Sequence, residues 1–400
     1  MKILFFSPYF YPYTSGVTTY PLKILSHLGK KNKITVLTFL HDPKLSNQLT
    51  HNQLTHNQLT IIRMPYLFKI SKGFISPQSI LYFINKCKNS DLIILNHPNF
   101  EGLFLAIIAK IFRKKIISIF HCQVFLEGNL LTKIINFALN TSMIIQLRLS
   151  NKIVVYTKDY VDSLPYFKKL IDKTINTLPP IEYFSDDRKF SDKLLKLKKN
   201  KIWLGFAGRI SQEKGLEYLI ESLTPVGWPN GLPTGVELVF AGPYGKDVAG
   251  ENIYYNKILQ LLKKNKISYS FLGNLVNNQL FSFYKSIDIL MLPSINQTEA
   301  FGMVQAEAMI SGTPVIATNL PGVRVPIQLT KMGLVIEPKN SDQISQAISE
   351  ILKNKNKFTN DKLVKNTQEI FNIKKIYKFY DNLVRHNQPN FTEAVKPMAS

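Results

Sequence analysis

The stretch SINQTEAFGMVQAEAMISGTPVIATNLPG, residues 294–322, contains a polar loop, a helix-forming segment and a short apolar run in succession. Glu299 and Glu307 are separated by seven mostly small or apolar residues, although a glutamate is seldom buried without a partner. We expect a helix that starts beside Gly302 and runs to about Ile310, with free N–H groups at its start. A separation of eight residues corresponds to about 80° around a helix, so both carboxylates can face one cleft.

Apolar runs alternate with helix-forming segments on both sides of this stretch. Continuous apolar runs are typical of parallel strands covered on both faces, and strands that alternate with helices indicate βαβ units. The sequence therefore predicts an α/β fold with two doubly wound parallel sheets and a ligand cleft at the carboxyl ends of their strands. Strands are predicted at 2–8, 33–40, 91–97, 115–121, 152–157, 202–208, 236–242, 267–273, 287–293 and 313–318, and helices at 17–29, 214–223 and 252–264.

The domain boundaries follow from the chain length and from one proline pair. A chain of 400 residues exceeds the size at which a single core keeps growing. Pro179 and Pro180 can continue neither a helix nor a central strand, so an interdomain linker is expected there. We predict an N-terminal domain at 1–178, a C-terminal domain at 179–375, a helix at 376–388 that crosses back to the N-terminal domain, and a polar tail at 389–400.

The composition favours a soluble protein of the cytoplasm. Cys87 and Cys122 are the two cysteines of the sequence and show no CxxC spacing, which predicts neither a disulfide framework nor a zinc site. The N-terminus MKILFFSPYF has neither the apolar length nor the cleavage site of a signal peptide. The two longest apolar segments, 102–120 and 130–149, are interrupted by charged residues, unlike a membrane span.

The chain is strongly basic, with a formal net charge of +23. Residues 1–178 carry 22 lysines and arginines against 7 aspartates and glutamates, so +15 of this charge lies in the N-terminal domain. Three interpretations compete: nucleic-acid binding, an anionic membrane surface, and a general lysine-rich bias. The diffuse spread of the lysines favours the third.

Two segments stand out from the alternating pattern. Residues 63–88 mix basic side chains with tyrosine, phenylalanine, leucine and isoleucine, so they predict either an anionic-membrane contact or an ordinary loop and core helix. Residues 47–60, NQLTHNQLTHNQLT, repeat every five residues, a period that fits neither a helix nor a strand face. We interpret this repeat as a lengthened surface loop, and His51 and His56 as bystanders and not as metal ligands.

Two motifs together resemble the family-4 retaining glycosyltransferases of the GT-B fold: GFAGRISQEKGLEYLIESL (205–223) and EAFGMVQAEAMISGTPVIATNLPGV (299–323). The N-terminal FSPYFYPYTSGVTTY (6–20) and the strand that ends at His121 are similar to the first domain of that family. The resemblance implies two Rossmann-like domains that face a central cleft. It also implies a retaining enzyme that moves a hexosyl unit from a nucleotide-diphosphate sugar to a glycolipid or cell-envelope glycan acceptor, in the cytoplasm and peripherally on the inner face of the plasma membrane.

The departing diphosphate of such a donor needs positive charge where negative charge develops. Arg209 and Lys214 lie between a predicted strand and a predicted helix, where side chains reach the cleft, and the family's matching residues hold the diphosphate. The alternative is that Arg209 and Lys214 are solvated surface charges beside Glu213 and Glu217. Because the chain has no Asp-x-Asp triplet, we expect the cationic pair to replace a divalent metal, so no cofactor is predicted.

The resemblance assigns the remaining donor contacts to the paired-glutamate stretch. Glu299 contacts hydroxyls of the transferred sugar, the backbone of Phe301, Gly302 and Met303 approaches the phosphates, and Glu307 accepts hydrogen bonds from the ribose. Asn319 and Leu320 follow the family's loop near the donor. Two alternatives for the glutamates are helix-capping charge and a paired-carboxylate hydrolase.

In the N-terminal domain, the resemblance points to Gly16, whose small size lets the backbone approach the donor phosphate. Ser15 stands where the family usually has a second glycine, and we place it on the acceptor side together with His97. His121 is expected to orient the sugar, so the predicted catalytic residues are His121, Glu299, Arg209 and Lys214. The alternative for His121 is a core histidine satisfied by the backbone.

Other functions stay open at the level of the sequence. A nucleotide-sugar epimerase of the same fold would use the same donor site without an external acceptor. A basic nucleic-acid-binding protein is suggested by charge alone, and no recognition module is visible. A dinucleotide oxidoreductase is disfavoured because GxGxxG does not follow the first strand.

Overall fold

The structure is a computed structural model that describes residues 1–13, 15–42, 53–56, 58–70, 73–124, 130–224, 228, 235–245, 251–275 and 277–387. The chain divides into two compact units. The N-terminal unit consists of Met1–Pro180 and the segment that begins at Ile373, and the C-terminal unit is Ile181–Asn372. The predicted tail at 389–400 lies outside the described residues.

The N-terminal unit is built on an eight-stranded sheet, in which all neighbouring strands are parallel except one edge pair. In spatial order the strands are β10 (Thr174–Asn176), β9 (Lys152–Val155), β8 (Lys115–Phe120), β7 (Leu92–His97), β1 (Lys2–Phe6), β2 (Lys33–Phe39), β4 (Leu59–Met64) and β3 (Gln53–His56). A separate antiparallel hairpin is formed by β5 (Phe68–Ile70) and β6 (Gly73–Ile75). The helices are α1 (Gly16–Leu28), α2 (Ser79–Lys88), α3 (Gly102–Ile111), α4 (Leu130–Leu149) and α5 (Lys158–Asp162).

The five-residue repeat is partly a strand and not a loop. Gln53–His56 form β3, which pairs antiparallel with β4, and the last repeat residues, Leu59 and Thr60, begin β4 itself. The prediction of a surface loop is therefore wrong for these residues. An edge strand needs backbone pairing on one side only, so a sequence without a two-residue side-chain period can still form it. His51 lies outside the described residues.

The C-terminal unit contains a six-stranded sheet in which all neighbours are parallel. In spatial order the strands are β13 (Ser268–Gly273), β12 (Val236–Ala241), β11 (Ile202–Ala207), β14 (Ile289–Leu292), β15 (Val315–Thr318) and β16 (Gly333–Ile336). The surrounding helices are α6 (Arg188–Lys198), α7 (Leu216–Ser222), α8 (Asn252–Lys264), α9 (Asn277–Ser286), α10 (Met303–Ile310), α11 (Val325–Thr330), α12 (Ser341–Lys353), α13 (Lys355–Phe358) and α14 (Asp361–Ile370). The predicted strands of both halves are present, whereas β3, β4, β5, β6, β10 and β16 were not predicted.

The central strand β11 shows why these strands are continuously apolar. Leu204 and Phe206 point into the core on one face of the sheet, and Trp203 and Ala207 into the core on the other. Gly205 between them lets Ile287, directly after α9, approach, because a Cβ there would lie 2.3 Å from Ile287 Cδ1. The strand is therefore covered on both faces, as its sequence predicts.

The last described helix, α15 (Ile373–His386), packs against α1 of the N-terminal unit. The His27 ring stacks on the Tyr377 ring at 4.1 Å between centroids, and His27 Nε2 lies 3.1 Å from Asp381 Oδ1. Beneath this pair, the buried hydroxyls of Tyr20 and Tyr380 are 2.5 Å apart. A buried hydrogen bond thus joins chain segments that are 360 residues apart in sequence. None of the described helices combines the length and the apolar character needed to cross a bilayer.

We predict that Tyr380→Phe lowers the midpoint of thermal unfolding, because the buried Tyr20 hydroxyl loses its partner, a change of about 1–3 kcal/mol. Adding Tyr20→Phe should recover part of this loss, since two apolar rings leave no unpaired hydroxyl. Calorimetry on the two single variants and the double variant measures the coupling. Strictly additive losses would contradict the buried hydrogen bond.

Candidate active site

The site in the C-terminal unit begins where β11 ends. Arg209 follows Gly208 directly after this strand, and a short 3-10 helix, Gln212–Lys214, leads into α7. The neighbouring strand β14 ends at Leu292. Because the carboxyl ends of adjacent parallel strands meet at one edge of the sheet, the connections after β11 and β14 lie side by side.

A glycine brings these two connections into contact. Gly215 has a left-handed backbone (φ 60°), and a Cβ there would lie 2.6 Å from the carbonyl oxygen of Pro293 and 2.4 Å from Ile295 Cγ2. The Ile295 N–H donates to the Glu213 carbonyl oxygen at 3.0 Å. The turn after β11 and the loop after β14 are therefore held together through backbone, and any side chain at position 215 would separate them.

This contact places Lys214 beside Glu299. Lys214 Nζ lies 2.5 Å from Glu299 Oε2, and about 15% of each side chain is exposed. The two residues are 85 positions apart in sequence, and both were predicted for the donor site. The ammonium group is thus held at the carboxyl edge of the sheet by a carboxylate.

Arg209 is held in a similar way by Glu213. Arg209 Nη2 donates to Glu213 Oε1 at 3.1 Å, and Ser211 Oγ donates to the same oxygen at 2.7 Å. Burial raises the pKa of Glu213, but the charge of Lys214, the Ser211 hydrogen bond and the charge of Arg209 outweigh it and lower the pKa overall. Glu213 therefore stays ionised at neutral pH and fixes Arg209.

The helix α10 supplies the second half of the site. Gly302 caps its N-terminus with a left-handed backbone (φ 71°), and a Cβ there would lie 2.4 Å from Leu292 Cδ2. Phe301, just before the cap, is buried, and Met303 is the first residue of the helix. The first turn of a helix presents N–H groups and positive potential to an anion, so this end of α10 suits phosphate oxygens.

Glu307 lies one turn further along α10 and has a partner that the sequence did not reveal. The Tyr284 hydroxyl donates to Glu307 Oε2 at 2.8 Å. Burial, followed by the charge and the hydrogen bond of Glu307, raises the pKa of Tyr284, so the hydroxyl stays protonated as a donor. Tyr284 bonds only to Oε2 of Glu307, so Oε1 can accept a hydrogen bond from a ligand.

The loop after β15 is tied to β16. Asn319 Nδ2 donates to Glu337 Oε1 at 2.9 Å, and Asn319 Oδ1 accepts from Arg324 Nη1 at 3.1 Å. The neighbouring Leu320 is mostly buried. These contacts hold the loop in place, and a donor contact of Asn319 stays a prediction.

In the N-terminal unit, His121 follows β8 and is buried. Its Nδ1 is hydrogen-bonded with the Tyr156 hydroxyl, and its Nε2 with Asn96 Oδ1 at 2.7 Å. Burial, together with the neighbouring His97, lowers the pKa of His121 to about 3, so the imidazole is neutral. Its partners are side chains and not the backbone, and a sugar contact by His121 stays a prediction.

The two acceptor-side residues occupy different environments. His97, at the end of β7, is fully buried; its Nε2 is 2.9 Å from Ser118 Oγ, and burial lowers its pKa to about 3. Ser15 instead caps α1, where its N–H donates to Thr18 Oγ1 at 2.9 Å, and Gly16 is the first helical residue. Asn96 links these regions, because its Nδ2 donates to Ser7 Oγ and to the Val17 carbonyl oxygen.

The structure thus brings Arg209, Lys214, Glu299, Gly302 and Glu307 to one edge of one sheet or onto the helix beside it. His121, His97, Ser15 and Gly16 lie at strand ends and at the first helix of the other unit. Sequence reasoning missed four supporting residues, namely Glu213, Tyr284, Asn96 and Tyr156. Glu213 was visible inside the motif but was read as a surface neighbour, whereas the other three carry no local signal because their partners are distant in sequence.

We predict that Glu213→Gln destabilises the C-terminal unit at neutral pH, because the folded-state pKa of Glu213 is lowered. A carboxylate of this kind stabilises the fold above its unfolded-state pKa, and the stabilisation is lost as the pH falls through the folded-state value. Thermal unfolding from neutral into acidic pH should therefore show wild type and variant converging. Glu221→Gln, at an exposed position of the same helix region, serves as control, and a pH-independent difference would contradict the assignment.

Comparison with known proteins relates part of this chain to glycosyltransferases. Residues 187–370 match the family model of Glycosyl transferases group 1. The chain is 33% identical over 147 residues to an uncharacterized glycosyltransferase of Methanocaldococcus jannaschii (37% of this chain, 35% of that protein). It is 30% identical over 152 residues to lipopolysaccharide 1,2-N-acetylglucosaminetransferase of Salmonella typhimurium (38% and 39%). The chain therefore spans little more than a third of the length of these curated relatives.

The likeness in structure extends further along the chain. The crystal structure of Anabaena HepE in complex with UDP-glucose superposes with a TM-score of 0.74 over 96% of this chain and 99% of that one, at 18% identity. At this identity the likeness concerns the fold, which is GT-B with two Rossmann-like parallel-sheet units. Residues 187–370 of this GT-B chain thus carry the sequence pattern of group 1 glycosyl transferases.

Proposed function

We propose that the protein is a retaining glycosyltransferase that moves a hexosyl unit from a nucleotide-diphosphate sugar to an acceptor. One observation carries the proposal: Arg209 and Lys214 lie at the carboxyl edge of the C-terminal sheet, each paired with a carboxylate of the same site. The match of residues 187–370 to group 1 glycosyl transferases supports it.

In this proposal the diphosphate takes the place of the carboxylates as partner of the two cations. The planar guanidinium of Arg209 suits two phosphate oxygens, and the Lys214 ammonium acts as a point charge. As the bond to the sugar breaks, negative charge grows on the diphosphate, and these cationic groups stabilise it. Glu299, released from Lys214, can accept from sugar hydroxyls.

The remaining donor contacts follow from α10. Its first turn, at Gly302 and Met303, faces phosphate oxygens, and Glu307 accepts from the ribose hydroxyls while Tyr284 holds its other oxygen. We propose that the reaction needs no divalent metal, because the cationic pair supplies the charge at the diphosphate.

For the substrates we propose a UDP-sugar donor and a glycolipid or cell-envelope glycan acceptor. The structure of HepE was determined with UDP-glucose, and one relative is named as a lipopolysaccharide N-acetylglucosaminetransferase. The acceptor would bind to the N-terminal unit.

We further propose that the protein acts in the cytoplasm, peripherally on an anionic membrane. Helices α2, α3 and α4 pack side by side on the N-terminal unit, and their solvent faces carry large apolar side chains three or four residues apart. A basic unit with such a face suits an anionic lipid surface. The exposed residues are Leu81, Ile84, Phe104, Ile107, Ile111, Ile134 and Phe137.

We predict that the double variant Arg209→Ala/Lys214→Ala loses donor turnover by at least about 10²-fold, the usual effect of removing transition-state charge stabilisation. Release of UDP, GDP or ADP from a panel of nucleotide-sugars, with lipid extract as acceptor and with a chelator present, measures this. Arg188→Ala/Lys189→Ala, which removes the same charge from an exposed part of α6, should leave turnover unchanged. Undiminished turnover in the first variant would overturn the proposal.

Three further readouts separate the alternatives. Transfer of label to lipid or glycan with retained anomeric configuration supports the transferase, and inversion at C2 of the sugar without an acceptor supports an epimerase. Salt-sensitive retention on DNA without any turnover supports a nucleic-acid-binding protein.

We predict that the protein sediments with anionic vesicles at low salt and is released at high salt. Phe104→Ser/Phe137→Ser should weaken this binding, because it removes apolar area from the proposed contact face. Leu195→Ser/Ile253→Ser changes two exposed apolar side chains of the C-terminal unit and should leave binding intact. Equal effects of both pairs would contradict the assignment of this face.

A further inference from the structure

Arg63 is a buried cation that lies outside the site described above. It is the next-to-last residue of β4, and only 1% of its surface is exposed. Its Nη2 donates to the carbonyl oxygen of Tyr11 at 2.6 Å. Its other two nitrogens, Nε and Nη1, are buried and have no acceptor within the part of the chain that the structure describes.

Unpaired buried donors are rare in native proteins, and those of a charged group are especially unfavourable. Within the described residues, no aspartate or glutamate forms an ion pair with Arg63. Glu101, a buried carboxylate of the same unit, already accepts the N–H groups of Phe74 at 2.6 Å and Phe100 at 3.1 Å. Among the described residues, the fold therefore keeps a buried guanidinium whose hydrogen-bonding capacity is largely unused.

A second cation lies on the same side of the unit. Lys69 Nζ donates to the His41 carbonyl oxygen at 3.0 Å. Burial lowers the pKa of the His41 imidazole, the Phe39 carbonyl opposes this, and the charges of Arg63 and Lys69 lower the pKa further, with Asp42 acting the other way. Both cations thus act on one imidazole, so their positive potentials overlap there.

Aromatic rings surround this positive region. The ring of Tyr9 lies 4.9 Å from that of Tyr13, 5.4 Å from that of His41 and 5.0 Å from that of Phe74, between centroids. Lys69 Nζ is also 5.0 Å from the Phe74 ring centroid. These rings line one side of the exposed Lys69 ammonium.

The position of Arg63 in the fold relates it to ligand binding. It lies at the carboxyl end of β4, in the same parallel sheet as β1, and it contacts the loop between β1 and α1 through Tyr11. This is the edge at which doubly wound sheets bind ligands. The free guanidinium nitrogens and the Lys69 ammonium offer donors that match oxygen atoms of a phosphate or carboxylate.

We propose that Arg63 and Lys69 form a binding site for an oxyanion, a phosphate or a carboxylate carried by the acceptor. The assignment of the anion to the acceptor rests on the proposed function, whereas the anion site itself does not. Because Nε and Nη1 are buried, the loop at residues 10–13 must move for the anion to reach them.

The site can be tested by calorimetric titration of the full-length protein with inorganic phosphate and, separately, with acetate. The titrations use the Arg209→Ala/Lys214→Ala background, so that the donor site does not contribute. We expect saturable binding that Arg63→Gln weakens at least tenfold and Lys69→Gln several-fold. Stronger binding of phosphate than of acetate would identify a phosphorylated acceptor, and the reverse order a carboxylated one.

Arg148→Gln, at an exposed position on α4 of the same unit, serves as matched control and should bind as the background does. Lys69 is exposed, so Lys69→Gln reports on the site even where Arg63→Gln perturbs folding. Phosphate and acetate binding that is absent in the background, or unchanged in both variants, would overturn the inference.

A second measurement separates this inference from the proposed function. In the otherwise unchanged protein, Arg63→Gln should leave UDP-sugar binding intact and raise the KM for an anionic acceptor at least tenfold. Phosphate binding at Arg63 in a protein without transferase activity would refute the proposed function and leave the anion site standing. An unchanged acceptor KM together with active transfer would refute the acceptor role.

Discussion

The candidate active site depends on the close approach of two backbone segments at the carboxyl ends of β11 and β14. Gly215 faces the carbonyl oxygen of Pro293 with no side chain between them, and the Ile295 N–H bonds to the Glu213 carbonyl. This contact fixes the turn that carries Arg209 and Lys214 against the loop that carries Glu299. Without it, the Lys214–Glu299 pair would join two independently moving segments, and the entropy of ordering two long side chains would oppose the pair.

Within this site every basic residue has an acidic partner. Arg209 pairs with Glu213 and Lys214 with Glu299, and Tyr284 occupies one oxygen of Glu307. Such pairing keeps partly buried charges compensated and keeps their side chains in one place.

The N-terminal unit contains a different arrangement of buried polar groups. His121 is neutral and bonded at both ring nitrogens, to Tyr156 and Asn96, and Asn96 in turn holds the start of α1. The Tyr20 ring contacts the His121 ring, and its hydroxyl is hydrogen-bonded to Tyr380 on α15. The two ends of the described chain are thus joined around one buried network, so His121 contributes to the structure of the unit whatever its contact with substrate. Arg63 differs from this network because most of its donors have no partner among the residues that the structure describes.

The sequence alone determined the fold class, most strand positions and the residue types of the donor site, since continuous apolar runs, glycines and paired charges are local patterns. It did not determine β3, β4, β5, β6, β10 or β16, which become strands by pairing with a neighbour. The tertiary structure alone decided which charges meet. Lys214 and Glu299 are 85 residues apart, and Tyr284, Asn96 and Arg63 acquire their environments from segments distant in sequence. Hydrogen bonding and desolvation depend on distances of a few ångströms, which the folding of the sheets sets and no local pattern encodes.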